Sequence, residues 1–235
     1  MSEWSADLEG GIIAAGEGSR LRRAGFLLPK PLVSVAGVPL IAAVIENFIA
    51  AGISQLRIIV NESEQDCADF VRSRFPGIRT DIIVKTTRSS LESFLQVVGA
   101  SGAGRMLVST VDAWCGAEDF VHFVEAACQR HLEATVLAVT PLVADEKPLW
   151  VDVDDEGRVT ALGKPSGKLV TAGMYLVPGH VRRMQPPAGL GRLRDYLGWL
   201  HRSGEPLYAE IVEKVVDVDR AEDVALAEAL GRRGA

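Results

Sequence analysis

Between residues 10 and 140, short apolar runs alternate with helix-forming segments, and the connections between them are only a few residues long. The runs are Gly11–Ala15, Leu56–Val60, Asp81–Val84, Arg105–Thr110 and Ala134–Thr140. Each is too short for a stable helix and is cut off by turn-forming residues, so each reads as a buried strand. Leu32–Val35 is a further short extended piece, turned by Gly37. Helices are expected over Pro39–Ala51, with proline in the first turn and Gly52 past the last, and from about Glu64 to Phe75, stopped by Pro76-Gly77. A third follows Ser89-Ser90-Leu91-Glu92, which has the form of a capping box, and runs through about Val98; a fourth covers about Ala117–Arg130. The alternation predicts an α/β fold, a Rossmann-like and mostly parallel sheet with helices on both faces.

After Thr140 the rhythm changes. Leu149–Val153 and Arg158–Leu162 read as a hairpin turned at Asp154-Asp155-Glu156-Gly157, and Leu169–Val177 as a further strand. Helices are expected at His180–Met184 and Leu193–Arg202, an extended stretch at Pro206–Val216, and a last helix from Arg220 to about Leu230. We expect one domain over residues 1–235, with a smaller β-rich lid from about 141 to 235 set on a half from about 10 to 140.

Charge bounds the partners. The 25 Lys and Arg against 31 Asp and Glu leave a net charge of −6, which opposes nucleic acid or an anionic membrane as the main partner. Cys67, Cys115 and Cys128 are odd in number and lack metal-binding spacing, so free thiols in a reducing compartment are expected. No apolar run approaches a membrane span, and Met1–Glu9 has no signal-peptide character, so the expected location is the cytoplasm. His122, His131, His180 and His201 are scattered without ligand spacing.

The densest chemistry lies at Gly11–Leu32. The run ends in Ala14-Ala15, then Gly16-Glu17-Gly18-Ser19-Arg20-Leu21, and ten residues after Arg20 comes Pro29-Lys30-Pro31. Glycines let backbone amides approach phosphate oxygens, Arg20 offers a planar fork of donors, and Lys30 offers a point charge whose backbone is restrained by prolines on both sides. Neither a dinucleotide fingerprint nor a phosphate loop fits: the first needs Gly or Ala where Leu21 stands, and the second needs Gly-Lys-Ser/Thr.

This stretch resembles the signature of the nucleotidyltransferase superfamily of the sugar-1-phosphate nucleotidylyltransferase type, Leu-Ala-Ala-Gly-x-Gly-Thr-Arg-Leu followed by Pro-Lys-Pro-Leu, with Ile13 for Leu and Ser19 for Thr. The resemblance implies a GT-A-like fold whose β-rich half binds the acceptor. It implies Mg²⁺-dependent transfer of a nucleoside monophosphate from a nucleoside triphosphate to a sugar-1-phosphate, with pyrophosphate released. Arg20 and Lys30 are then catalytic, and Ala14, Ala15, Gly16, Glu17, Gly18 and Ser19 bind the nucleotide. Asp112, just past the strand ending at Thr110, is at the sheet edge where ligands bind in open α/β folds and matches the first metal ligand. Asp217 matches the second, while Asp219, with Glu222 three residues on, reads as a helix cap. Gly163-Lys164-Pro165 resembles the acceptor-phosphate motif Glu-Lys-Pro without its Glu, and Thr171-Ala-Gly173-Met-Tyr175 the strand beside the sugar. Lys164 and Gly173 are the acceptor-side candidates.

Two departures bear on the substrate. Lys85-Thr86-Thr87-Arg88-Ser89-Ser90 replaces the usual base-reading Gln and Gly-Thr, and Trp150 aligns where a glycine usually meets the sugar ring. A non-sugar acceptor (phosphocholine, a polyol phosphate or a molybdopterin) taken by a cytidylyl- or guanylyltransferase therefore stays open. So do an inactive nucleotide-binding regulator and a glycosyltransferase using Asp217-Val218-Asp219. No left-handed β-helix repeat is present, so a second catalytic activity is not expected of this chain.

Overall fold

A computed structural model describes residues 8–99, 104–130, 132–143, 147–163 and 167–232. In chain order the elements are β1 (Glu9–Ala14), α1 (Ser19–Arg23), β2 (Ser34–Val35), β3 (Val38–Pro39), α2 (Leu40–Ala50), β4 (Gln55–Val60), α3 (Gln65–Arg74), β5 (Arg79–Val84), α4 (Ser90–Val98), β6 (Met106–Thr110), β7 (Ala113–Cys115) and α5 (Ala117–Gln129). They continue with β8 (Thr135–Thr140), β9 (Trp150–Val153), β10 (Val159–Leu162), β11 (Leu169–Val177), α6 (Gly179–Arg182), α7 (Leu193–Arg202), β12 (Leu207–Ile211), β13 (Val215–Asp217) and α8 (Ala221–Gly231).

The main sheet runs β10-β9-β11-β6-β1-β4-β5, with β8 joining β11 to β12. β6, β1, β4 and β5 are parallel neighbours, and β8 and β12 are a parallel pair. Only β10 and β11 run against the rest, since β11 is antiparallel to β6, β8 and β9, and β10 to β9. The β-rich second half thus continues the first half's sheet through β11. The hairpin at Asp154 forms as read: its Oδ1 accepts the Glu156 and Arg158 N–H groups at 3.0 and 2.9 Å.

Adjacent residues of a strand face opposite sides, so β1 feeds two cores. Ile12 packs with Leu40, Phe48, Phe120 and Val224 beneath α2, α5 and α8, while Ile13 packs with Leu91, Phe94, Tyr196 and Leu197 beneath α4 and α7. Edge-on Phe48 and Phe120, ring centroids 5.1 Å apart, tie α2 to α5. The Tyr196 hydroxyl, inside the other core, donates to the Val181 carbonyl at 3.3 Å. α4 is capped as its sequence predicts: the Ser89 hydroxyl accepts the Glu92 N–H, and the Glu92 carboxylate accepts the Arg88 N–H.

Three features depart from the sequence reading. The turn after β1 leads into the short helix α1. The extended stretch after Pro206 is two strands, β12 in the main sheet and β13, which pairs with β7 as a separate ribbon. α6 is also shorter than expected, ending at Arg182. The parallel run of strands sends its carboxyl ends to one edge, and the ribbon β7–β13 lies there.

Candidate active site

β6 delivers Asp112 at that edge. The chain then turns into β7, whose Ala113 pairs with Asp217 of β13, and the Val218 N–H donates to the Asp112 carbonyl at 3.0 Å. This short ribbon joins two carboxylate-bearing segments more than a hundred residues apart in the chain. Lys30 enters from a single 3₁₀ turn, Lys30–Leu32, opened by Pro29 in extended backbone. The turn needs no amide from Pro31, so a proline is tolerated there and narrows where the lysine can reach.

The Lys30 ammonium is 2.5 Å from Asp112 Oδ2 and also bonds Asp219 Oδ1. Arg20 Nη1 donates to the other Asp219 oxygen at 2.5 Å. One oxygen from each of Asp112, Asp217 and Asp219 lies within 4.8 Å of the others. Burial works against the Lys30 charge, but Asp112, Asp219 and Asp217 outweigh it and hold the ammonium pKa above the ordinary lysine value. Burial likewise pushes the Asp112 carboxyl up, but Lys30, with a hydrogen bond from Thr110, brings it below the usual range. Both groups are therefore charged at neutral pH. The Tyr175 phenol nearby stays protonated, because burial, Asp112 and Asp217 all raise its pKa.

Two glycines shape the centre. Gly18 has a φ of +58°, and a Cβ there would lie 2.6 Å from the Lys30 Cβ. Glycine at this position both relieves the backbone and lets the loop close over the lysine. Gly173, at φ +74°, sits where β11 changes register, and a Cβ would meet Thr110 Oγ1 at 2.6 Å. The centre opens into a cleft of about 760 Å³ reaching from Arg20 and the aspartates past Thr171 and Gly173 to the start of α7.

The structure brings Arg20, Lys30, Asp112 and Asp217 to one end of the cleft, with Gly173 on its wall. Ala14 and Ala15 are buried at the end of β1, and Gly16, Glu17 and Ser19 are exposed beside Arg20, with open space around Gly16. This loop borders the cleft and does not line it. Lys164 lies outside the described residues. Asp219 must be reassigned: its carboxylate faces Lys30 and Arg20, and Asp223 closes α8 by accepting the Asp219 and Arg220 N–H groups at 3.0 and 2.8 Å. Trp150 does not line the cleft; its neighbour Leu149 does. The sequence reading also passed over buried Asn61, whose amide donates to the Ala15 carbonyl at 3.2 Å while its oxygen accepts from Ser63 and Thr86. It ties together the loops after β1, β4 and β5; the only signal was an Asn directly after a predicted strand.

Residues 10–168 match the profile of the MobA-like NTP transferase domain. The chain belongs to that family. It is 33% identical over 159 residues to the 2-aminoethylphosphonate cytidylyltransferase of Lancefieldella rimae, covering 65% of this chain and 59% of that protein. A mannose-1-phosphate guanyltransferase of Gibberella zeae is 41% identical over 82 residues, 34% of this chain and 22% of its own. The chain thus spans less than two thirds of the length of these curated relatives. Among solved structures, the inositol-1-phosphate CTP transferase from T. maritima superposes with a TM-score of 0.81 at 17% identity, covering 95% of each chain, a likeness of fold. Membership of the family makes the chain a nucleotidyltransferase-type domain, and no described helix is long and apolar enough to cross a membrane.

Proposed function

We propose that the protein transfers a nucleoside monophosphate group from a nucleoside triphosphate to the phosphate of a sugar-1-phosphate or similar phosphorylated alcohol, releasing pyrophosphate. The observation that carries this reading is the convergence of Arg20, Lys30 and three carboxylates, from segments up to 199 residues apart, on one cleft edge. An acceptor phosphate is already a nucleophile at neutral pH, so the site needs no general base. What it must supply is alignment and compensation of charge growing on phosphoryl oxygens.

The donor set suits a hard divalent cation. All three groups are carboxylates with oxygens mutually within 4.8 Å, and their three negative charges exceed the two positive charges of Arg20 and Lys30. We assign Asp112 and Asp217, with Asp219, as the residues that would hold Mg²⁺, which when bound withdraws charge from phosphoryl oxygens. The remaining work falls to this chain's own groups. Lys30, held by Asp112 and Asp219, presents its ammonium at a fixed point and stabilises negative charge at the α-phosphate. Arg20, half-exposed and tethered to Asp219, turns its guanidinium to the departing pyrophosphate. Amides of the Gly16–Ser19 loop cradle the triphosphate beside it. Gly173 keeps β11 low enough for the acceptor to lie against Thr110 and Thr171. The three thiols, none in a disulfide, support placing the reaction in the cytoplasm.

The test is pyrophosphate release, coupled to a pyrophosphatase, across each nucleoside triphosphate crossed with a panel of phosphorylated acceptors and Mg²⁺. Release that needs both substrates supports the proposal. Binding of triphosphate with no release in any combination would instead make the chain a nucleotide-binding regulator.

A further inference from the structure

The loop between β1 and α1 is held at two of its carbonyls by one tight turn. That turn, the 3₁₀ segment Glu62–Glu64 after β4, is opened by Asn61, whose Oδ1 accepts the Ser63 N–H at 3.0 Å and whose carbonyl accepts the Glu64 N–H at 3.0 Å. At its start, Asn61 Nδ2 donates to the Ala15 carbonyl at 3.2 Å. At its end, the Glu64 carboxylate lies 3.5 Å from Arg22 Nη2, and the same nitrogen donates to the Glu17 carbonyl at 3.1 Å. Glu64 is 4% exposed, and among the described residues neither of its oxygens accepts a hydrogen bond. A carboxylate buried in this way is destabilising, so the cation it faces is what accounts for it. Arg22 is mostly exposed, and without that anchor its long side chain would spread over many rotamers.

The peptides of this loop are trans, and a trans peptide points its C=O and N–H in opposite directions. Holding the Ala15 carbonyl on Asn61 therefore turns the Gly16 N–H away from the turn, and holding the Glu17 carbonyl on Arg22 turns the Gly18 N–H away from that side chain. Gly18, in left-handed backbone at φ +58°, gives its own carbonyl to the Arg22 N–H at 3.0 Å as α1 begins. Space around Gly16 is open, since a Cβ there would meet nothing within 4 Å. We propose that Asn61, Glu64 and Arg22 are positioning residues for the triphosphate, holding alternate carbonyls of the loop so that the Gly16 and Gly18 amides face phosphoryl oxygens before the nucleotide arrives. This rests on the nucleotidyl-transfer reading and deepens it. The three side chains act through the peptide planes and not by touching the nucleotide. Amides set in advance lower the ordering cost of binding.

Separate variants test each part. N61D keeps an oxygen for Ser63 and Thr86 but sets a second one against the Ala15 carbonyl. R22A removes the hold on the Glu17 carbonyl at an exposed position, and E64Q keeps the volume of Glu64 while removing the charge that holds Arg22. Calorimetric titration with ATP, CTP, GTP and UTP and the matching monophosphates, in Mg²⁺, reads affinity, and pyrophosphate release reads KM and kcat. N61D and R22A should each weaken the triphosphate that wild type prefers by about tenfold, the loss of one charge-assisted hydrogen bond, while its monophosphate and the acceptor KM move by less than about threefold. E64Q should act in the same direction in wild type and have no further effect in R22A, because it works through that side chain, and R22K should recover most of the affinity. Equal losses for monophosphate and triphosphate in folded variants, an E64Q effect that adds in full to R22A, or unchanged triphosphate affinity in R22A overturns the proposal, as does a wild type that binds no triphosphate. If triphosphate binds and no acceptor is turned over, the transfer reading fails, and the titrations still decide the role of the three residues.

Discussion

Replacing Lys30 by Met removes the cation that Asp112 and Asp219 share while keeping most of its aliphatic volume. Breaking a buried ion pair by deleting one partner costs about 3–5 kcal/mol, because the remaining charge is left uncompensated. The Asp112 and Asp219 side chains keep 24% and 31% of their surface exposed, so water screens part of the loss. The lower part of the range, about 3–4 kcal/mol, then applies. For a chain of this length each kcal/mol lowers Tm by about 2–4 °C, so K30M should melt roughly 6–16 °C below wild type in EDTA. The variant removes the ammonium from beside three carboxylates, which makes the cluster a better cation site. A divalent ion at a hundred times its Kd stabilises by about 2.7 kcal/mol, so Mg²⁺ should recover much of the lost stability and raise the Tm of K30M more than that of wild type. Turnover should still fall by about two to three powers of ten even in Mg²⁺, because no ammonium meets the α-phosphate. Differential scanning fluorimetry across a Mg²⁺ titration reads the first two effects, and pyrophosphate release reads the third. If K30M melts with wild type in EDTA and responds no more strongly to Mg²⁺, the electrostatic account of this cluster is wrong.

Other perturbations probe neighbouring parts of the argument. G18A adds a Cβ in left-handed backbone at 2.6 Å from the Lys30 Cβ, so it should lose about 1–2 kcal/mol from the backbone term alone and lower kcat with it, read by melting and turnover together. Glu64 is buried with neither carboxylate oxygen hydrogen-bonded; burial raises its pKa above the ordinary 4.5, against the pull of Arg22 3.5 Å away. The folded state therefore holds this proton more tightly than the unfolded chain, so the group's stabilisation is full below about pH 4.5 and is lost as pH rises through the raised value. E64Q should accordingly flatten the fall in Tm between pH 4.5 and 8 relative to wild type, and parallel curves would refute this. Cys67 and Cys115 are buried with thiols pushed up to about 12, while Cys128 is only half-buried and raised less. A disulfide reagent at pH 7.5 should thus modify Cys128 first and the other two only on unfolding, as peptide mapping by mass spectrometry will show.

Much of this architecture was legible because local signals and global fold agree. The strands of β1, β4 and β6 are apolar runs too short to be helices, and their carboxyl ends necessarily share an edge once the connections are right-handed crossovers. That rule alone brings Asp112 near the loop after β1. The ribbon β7–β13 was not legible, since three-residue strands carry no readable period. Without it, the spacing of Asp219 to Glu222 reads as a local cap, although residues two apart in extended chain face the same side, so Asp217 and Asp219 can both turn to one centre. The capping partner was Asp223, one residue further on. Trp150 fell to the same alternation: a shift of one residue in a strand exchanges faces, and Leu149 takes the cleft side.

The central claim is that the bond broken lies between the α- and β-phosphorus of a nucleoside triphosphate, with the acceptor phosphate as nucleophile. Incubation with Mg²⁺, acceptor and triphosphate labelled with ³²P at either the α or the γ position reads this directly. The account predicts α-label in a new acceptor-linked product, γ-label wholly in pyrophosphate, and neither in D112N. Transfer of γ-label to the acceptor, or its appearance as inorganic phosphate without pyrophosphatase, would contradict it.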